Sequence, residues 1–585
     1  MKKRLSVLLL VLAMLMSLLA GCSSGETSQP SPPSDTTSDI QSQQEVSQQP
    51  TAEAPAVLEA SQPDESVAEE ASAPEETAAM PEDYALPLYT PAVEISVFYP
   101  IRSGNNPSKT DERAVFWQRL QERLGYEITW TEPYQSAASE QFNLVIAAGD
   151  FPHIVFESLI AMSGSAYTGG YDLAVDEDVY MDLTPYLEDY APHYNYLLQD
   201  PGIYNDIVTE QGRIVPFATI NSEPAKTGMG PVINKEYWEA TGLDLPITVE
   251  ELHQVALAMK EDGVEAPLNV SAEGSIVEGL VAQAMGASFT GTPIIDNATG
   301  KLILDVTTDE TRSYIELFRK WYQEGILYSD FTSITELDFT PFNNGTVGTG
   351  SGMGFMLDSY YDMYGVYQQP LPILHGEGLQ EKQVLLKTWP ASLVSSMPGI
   401  ALTTACESDD LVEPCMRMCD FFYSEAGYLV CNYGWEEGET YEIVDGKPIP
   451  NDFFNERDPD IQVTNKTLYT SDSDFGYVYP NFNFDIGSET MMEAADLWTL
   501  PEDQPAALYT TLPGNMKLNA EETTRIATHL TDLQTYVESS VLLWMTGQTE
   551  LNDSTWDEFV SKCQSMQLDE ILEVYTGAYE RYTAQ

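Results

Sequence analysis

The strongest constraint on the fold is the order of elements written between Val93 and Phe156. VEISVFY (Val93 to Tyr99) reads as a strand and stops at Pro100. RAVFWQRLQERL (Arg113 to Leu124) sets Val115, Phe116, Leu120 and Leu124 on one helical face, with Gly125 as the stop. EITW (Glu127 to Trp130) is a second strand, Glu140 to Ala148 a second helix, and Ile154-Val155-Phe156 a third strand. Strands and helices that alternate over short connections predict a doubly wound, mainly parallel sheet flanked by helices. Ligands of such sheets sit beyond the carboxyl ends of the strands. Tyr99 to Arg102 and the polar stop Glu157-Ser158 are therefore expected on one rim.

A second unit begins near Pro231. Val232-Ile233-Asn234 reads as a strand, and Thr248 to Gly263 as a helix. Thr248 and Glu251 form its capping box and Leu252, Val255, Ala256 and Met259 its apolar stripe. Thr311 to Gly325 is another amphipathic helix. The Gly-rich run Gly348 to Gly354 leads to an expected strand Phe355-Met356-Leu357, ending on Asp358, Ser359, Tyr360 and Tyr361. Pro398 to Thr403 reads as a return strand, Asp410 to Tyr423 as a helix, and Glu521 to Tyr582 as almost wholly helical. The roughly 500 residues from Tyr89 onward exceed what one core holds, so two lobes facing a cleft are expected.

Ahead of this lies an address. Lys2, Lys3 and Arg4 precede an apolar run, Leu5 to Ala20, too short to span a membrane. Leu19-Ala20-Gly21-Cys22 resembles the bacterial lipobox, which places a lipid on Cys22. Residues 23–88 contain no Lys or Arg and few large apolar groups, so they read as a disordered acidic tether. Its root-mean-square span is about 40–50 Å. The chain has 26 Lys and Arg against 92 Asp and Glu, a net charge of −66. A field of that sign repels phosphate backbones, which excludes nucleic acid as a partner. Five cysteines follow Cys22: Cys406, Cys415, Cys419, Cys431 and Cys563. They fit buried thiols or one disulfide. No CxxC pair favours a metal site.

The segments FNLVIAAGDFPHIVF (Phe142 to Phe156), MDLTPYLEDYAP (Met181 to Pro192) and VINKEYWEATGLDLPITVEELHQVALAMK (Val232 to Lys260) carry a resemblance. FFYSEAGYLVCNYGWEEGE (Phe421 to Glu439) and WDEFVSKCQSMQLDEILEVYTGAYERY (Trp556 to Tyr582) complete it. In this order, behind a lipobox and a tether, they resemble the bacterial extracellular solute-binding lipoproteins of the family 1 type, in the long Gram-positive branch. The resemblance implies a two-lobed α/β fold of the periplasmic-binding-protein type II, with crossing hinge strands. Lobe one would hold about residues 92–220 and 371–435, lobe two about 225–368 and 440–585, with hinges near 219–226 and 368–373. It further implies a monomer on the extracytoplasmic face of the cell membrane, anchored in the lipid bilayer through Cys22. The implied role is capture of an oligosaccharide for an ABC permease, with a peptide ligand as the alternative. Where many relatives have Pro-Asp after the Gly-Asp loop, this chain has Pro152-His153.

A sugar site needs planar polar groups for hydroxyls and aromatic faces for the pyranose. Trp117, Trp238, Trp321, Trp544 and Trp556 fall in helical patterns and read as core. Trp389, Trp435 and Trp498 stand beside Gly or Pro and are candidate ligand contacts. To these we add Tyr99, Arg102, Glu157, Ser158, Glu223 and Asp358, and also Tyr360 and Tyr361, which the resemblance places at an aromatic platform. Glu157→Ala is accordingly expected to weaken ligand binding and spare stability. Paired carboxylates leave a surface glycan hydrolase open. No GxSxG, HExxH or P-loop motif supports catalysis, however, and no catalytic residue or cofactor is expected. Asp472-Ser473-Asp474 lacks EF-hand spacing, so structural calcium has no support.

Overall fold

The alternation from Val93 to Phe156 builds the first sheet. A computed structural model of the chain describes residues 80–584 except 103–105, 162–164, 271–275, 289–290, 330, 332–339, 355–356, 381, 391, 396, 472–474, 479–488 and 502–506. The signal segment, Cys22 and nearly all of the expected tether lie outside the described residues, as do Asp472 to Asp474.

In lobe one the strand order is Tyr126–Thr131, Val93–Phe98, Ile154–Phe156, Ile400–Leu402, Pro216–Phe217. The first three are parallel, as expected; Ile400–Leu402 runs antiparallel to both neighbours. The helix Val115–Leu124 buries Phe116, Trp117, Leu120 and Leu124 on this sheet. Each such side chain contributes about 1.5–3 kcal/mol by leaving water. Gly125 ends the helix at φ 81°, and a Cβ there would lie 2.2 Å from the Tyr89 carbonyl oxygen. Trp117 packs edge-on against Tyr99, Trp130 and Phe156, joining helix and strand ends in one aromatic core.

Lobe two contains two sheets. One is Gln368–Pro370, Met229–Asn234, Thr349–Met353, antiparallel throughout. The other is Leu386–Lys387, Tyr509–Thr511, Pro293–Asp296, Lys301–Leu304, in which only the first pair is parallel. The expectation of a mainly parallel second sheet is thus corrected for the described strands. The helix Val249–Glu261 carries the capping box read from sequence, with both Thr248 and Glu251 engaged. With the helix Asp309–Glu324 it closes a core around Tyr314, Phe318 and Trp321.

Of the expected strand Phe355 to Leu357, Phe355 and Met356 lie outside the described residues, and Leu357 begins a helix instead. The strand is the Gly-rich Thr349–Met353, and Leu357–Tyr364 is a helix. The glycines let backbone approach closely: a Cβ on Gly350 would lie 2.9 Å from the Phe342 ring, and one on Gly352 2.4 Å from Val232.

Three boundaries move. Leu371, Ile373, Leu374 and Val384 pack in the core of lobe two, so the return to lobe one comes after Lys387. Tyr441 and Phe454 pack with Tyr433, and Phe475 joins the core of lobe one, so residues 441–478 belong there. Pro81 to Leu88 is not tether: Met80, Tyr84 and Leu88 lie against lobe one. The Leu88 N–H donates to the Leu124 carbonyl at 3.0 Å and Tyr84 Oη to Asp420 Oδ2 at 2.6 Å.

The lobes are joined where three passes of chain lie side by side. Asn221 N–H donates to Leu393 O at 2.7 Å, Ser222 N–H to Val478 O at 2.8 Å, and Ser395 N–H to Thr219 O at 2.9 Å. The first pass matches the hinge expected near 219–226. The expected second pass at 368–373 instead lies within lobe two, because Gln368–Pro370 pairs with Met229–Asn234. Among the described residues, Cys406, Cys415, Cys419, Cys431 and Cys563 are all buried free thiols.

Candidate functional site

Beyond the ends of the lobe-one strands is a cavity of about 830 Å³ with walls from both lobes. Lobe one supplies Ser165, Gly169 to Asp172, Asp206 to Gln211 (without Val208), Pro216 and the rim Pro398-Gly399. Lobe two supplies Asn515, Lys517 to Asn519, Glu521, Thr523 and Thr524, at the start of the long helix Ala520–Met545. Asn519 caps that helix in a reciprocal box with Glu522, which fixes the angle at which the segment enters the cleft.

The walls touch. Lys517 reaches from lobe two and its Nζ donates to the carbonyls of Asp206 at 3.2 Å and Val208 at 3.3 Å. Tyr582 Oη donates to Asp206 Oδ1 at 2.7 Å, while Ser392 Oγ donates to Asp206 Oδ2. Desolvation in the cleft lowers Lys517 from the ordinary lysine range, against the pull of Asp206, Glu210 and Asp172. Burial raises Glu210 for the same reason.

Of the residues singled out in the sequence, none lines this cavity. Glu157 does not stand free on the rim; it is fully buried beneath it. Its carboxylate accepts from Ala166 N–H, Tyr171 Oη and Tyr180 Oη, each at 2.8 Å, and from Ser165 Oγ at 3.2 Å. Burial raises its pKa while these four donors oppose the rise. Tyr171 and Ser165 belong to the cleft wall, so Glu157 holds the wall rather than the ligand. Ser158 is also buried, and its hydroxyl has no hydrogen-bond partner among the described residues.

Tyr99 is core, wedged among Trp117, Trp130 and Phe156. Trp435 is core too, stacked on Phe421 and donating from Nε1 to the Phe116 carbonyl at 3.2 Å. Trp498 ends the helix Glu489–Trp498 and covers Gly230, where a Cβ would meet the indole at 2.2 Å. Tyr360 is buried with Phe342 and donates to Asn343. These four are corrections with one cause: proximity to Gly or Pro, or to a strand end, does not tell a large ring packed on a turn from one facing solvent.

Tyr361 is exposed and stacks on Tyr367 with centroids 3.9 Å apart. Trp389 is half-buried, edge-on to Tyr579 and Tyr582. It thus adjoins the bridge between the lobes, although it is not in the cavity wall. Glu223 is exposed on the first crossing, and Arg102 is exposed after the first strand. Asp358 falls within the helix Leu357–Tyr364, its side chain outside the described residues. Sequence reasoning missed Thr209, Glu210, Asn515 and Lys517. These residues lie in loops with no periodic pattern; only the Asn519–Glu522 capping box nearby was readable.

No protein-family model matches the chain. The extracellular solute-binding protein from Bifidobacterium longum subsp. infantis superposes with a TM-score of 0.61 at 17% identity, covering 84% of this chain and 99% of that one. This is the fold of the extracellular solute-binding proteins. Two curated relatives match over part of their length. Lipoprotein LipO of Bacillus subtilis is 24% identical over 60% of this chain and 68% of its own length. The fructooligosaccharide ABC transporter substrate-binding protein FusA of Streptococcus pneumoniae is 24% identical over 39% of this chain and 44% of its own. The matched stretches therefore span about two thirds of one relative and under half of the other. What this chain shares with the superposed structure is the two-lobed α/β fold.

Proposed function

We propose that the protein captures an oligosaccharide in the cleft between its lobes and delivers it to an ABC-type membrane permease. The cleft itself carries this reading: about 830 Å³, walled by both lobes and lined by hydroxyl, amide and carboxylate groups. Small-ligand sites fall in the range of about 300–1,000 Å³. A ligand that touches both walls favours the closed arrangement by its differential affinity, which is how capture becomes a signal to a partner. The named specificity of FusA for fructooligosaccharides supports a glycan over a peptide. Export and a lipid on Cys22 would hold the protein at the extracytoplasmic face of the membrane. We assign it no catalysis of its own.

Thermal unfolding in the presence of a broad panel of neutral and acidic oligosaccharides, alongside di- to pentapeptides, tests the proposal. At least one glycan is expected to raise the midpoint, with its reducing ends unchanged after prolonged incubation. A rise with peptides alone sinks the glycan reading, and steady release of reducing ends makes the protein a hydrolase.

A further inference from the structure

We infer that the cleft takes uncharged glycans and rejects those that carry carboxylates, an inference that rests on the oligosaccharide reading above. It follows from how the charges around the cleft are already paired. Lys517 gives its ammonium protons to the carbonyls of Asp206 and Val208. Arg581, in the adjoining recess, makes two 2.6 Å bonds to Glu522. Arg213, behind the wall, lies 2.7 Å from Asp176 and 3.6 Å from Asp172. Arg581 and Arg213 are committed to carboxylates within the protein. Lys517 spends two of its three ammonium protons on carbonyls and its charge faces Asp206, Glu210 and Asp172, so an incoming carboxylate competes with acids already in place.

The acceptors are in the opposite condition. Glu210 on lobe one and Glu521 on lobe two line the cavity; among the described residues neither carboxylate is seen to accept a hydrogen bond, and Glu210 feels Arg581 and Lys517 only through space. In the recess shared by Asn205, Glu210 and Lys517, the Asn205 Oδ1 is buried with no donor among the described residues. Three acceptors therefore await donors. Sugar hydroxyls donate as well as accept, so a neutral glycan satisfies all three. A carboxylate brings only acceptors and a like charge, so it meets unpaired lone pairs and the field of Asp172, Asp206, Glu210 and Glu521. Such a repulsive element is a common route to specificity, because discrimination is a difference between two affinities.

The test uses one glycan in two charge states. The neutral oligosaccharide that most stabilises the protein is oxidised at its primary hydroxyls to the uronate form, and both are titrated calorimetrically. Oxidation is expected to weaken binding by about tenfold or more at low salt, with the gap narrowing as ionic strength rises. In Glu210→Gln/Glu521→Gln the ratio of the two affinities should shrink; the single variants report the same ratio should the double variant fail to fold. Equal or tighter binding of the oxidised glycan overturns the charge inference and leaves the oligosaccharide reading standing. Stabilisation by acidic glycans alone does the same. Binding of peptides with no glycan bound overturns both.

Discussion

Glu157→Ala should destabilise the protein by about 3 kcal/mol or more, measured as a fall in the urea midpoint at unchanged slope. The substitution removes one carboxylate and leaves four donors without their acceptor: the buried Tyr180 hydroxyl and the part-buried groups of Ser165, Ala166 and Tyr171. The buried Tyr180 donor costs about 1–3 kcal/mol when orphaned, and the part-buried donors add less because cleft water reaches them. Ligand affinity should fall too, since the 165–171 segment that Glu157 anchors is cleft wall. A pH series adds a second signature. Burial raises Glu157 above its value in the unfolded chain. The folded state therefore holds this proton more tightly, and the contribution is complete below the unfolded carboxyl range. It is lost as pH rises through the higher folded value. Glu157→Gln should flatten that component of the stability profile. A variant as stable as the parent would mean that the cage is not built as described.

The second large effect is expected at Asp420, in the helix Val412–Phe421 of lobe one. Its carboxylate is fully buried and accepts from His193 Nδ1 at 2.6 Å, His193 N–H at 3.3 Å, Tyr194 N–H at 2.7 Å and Tyr84 Oη at 2.6 Å. Asp420→Ala should cost about 3 kcal/mol or more, because it leaves the buried donors of His193 and Tyr194 and the Tyr84 hydroxyl without their acceptor. Tyr84→Phe removes one donor and should cost about 1 kcal/mol. Burial, and next the charge of Asp420, push the Tyr84 phenol well above its ordinary range, so it stays a donor at any working pH. The milder variant has a distinctive readout: limited proteolysis should cut near residues 80–89 sooner, because Tyr84 fastens that strap to lobe one. Equal cleavage rates would show that Leu88 and Tyr89 hold the strap unaided.

Both cages show what was legible in the chain and what was not. Elements with a period were readable: Val115–Leu124, Val249–Glu261 and Asp309–Glu324 fall within a few residues of their expected limits. The reason is that burial of one face imposes the period. The two-lobed organisation followed from length and from strand ends on polar residues. The site was not legible. Glu157 sits where a doubly wound sheet places ligand contacts, yet Tyr171 and Tyr180, 14 and 23 residues on, return to enclose it. Nothing local announces that. Lys517 and Asp206 meet across 311 residues, and only packing of the terminal helices brings them together. Trp435 and Trp498 read as loop aromatics because Gly434 and Pro501 flank them nearby, whereas glycine backbone such as Gly230 is what lets such a ring pack.

Amide hydrogen exchange with and without the most stabilising neutral glycan tests the central claim most directly. The account predicts protection on both sides of the cleft at once, in residues 165–172 and 206–211 of lobe one and 515–524 of lobe two. Protection confined to one lobe, or centred on the exposed Tyr361–Tyr367 pair, would contradict it.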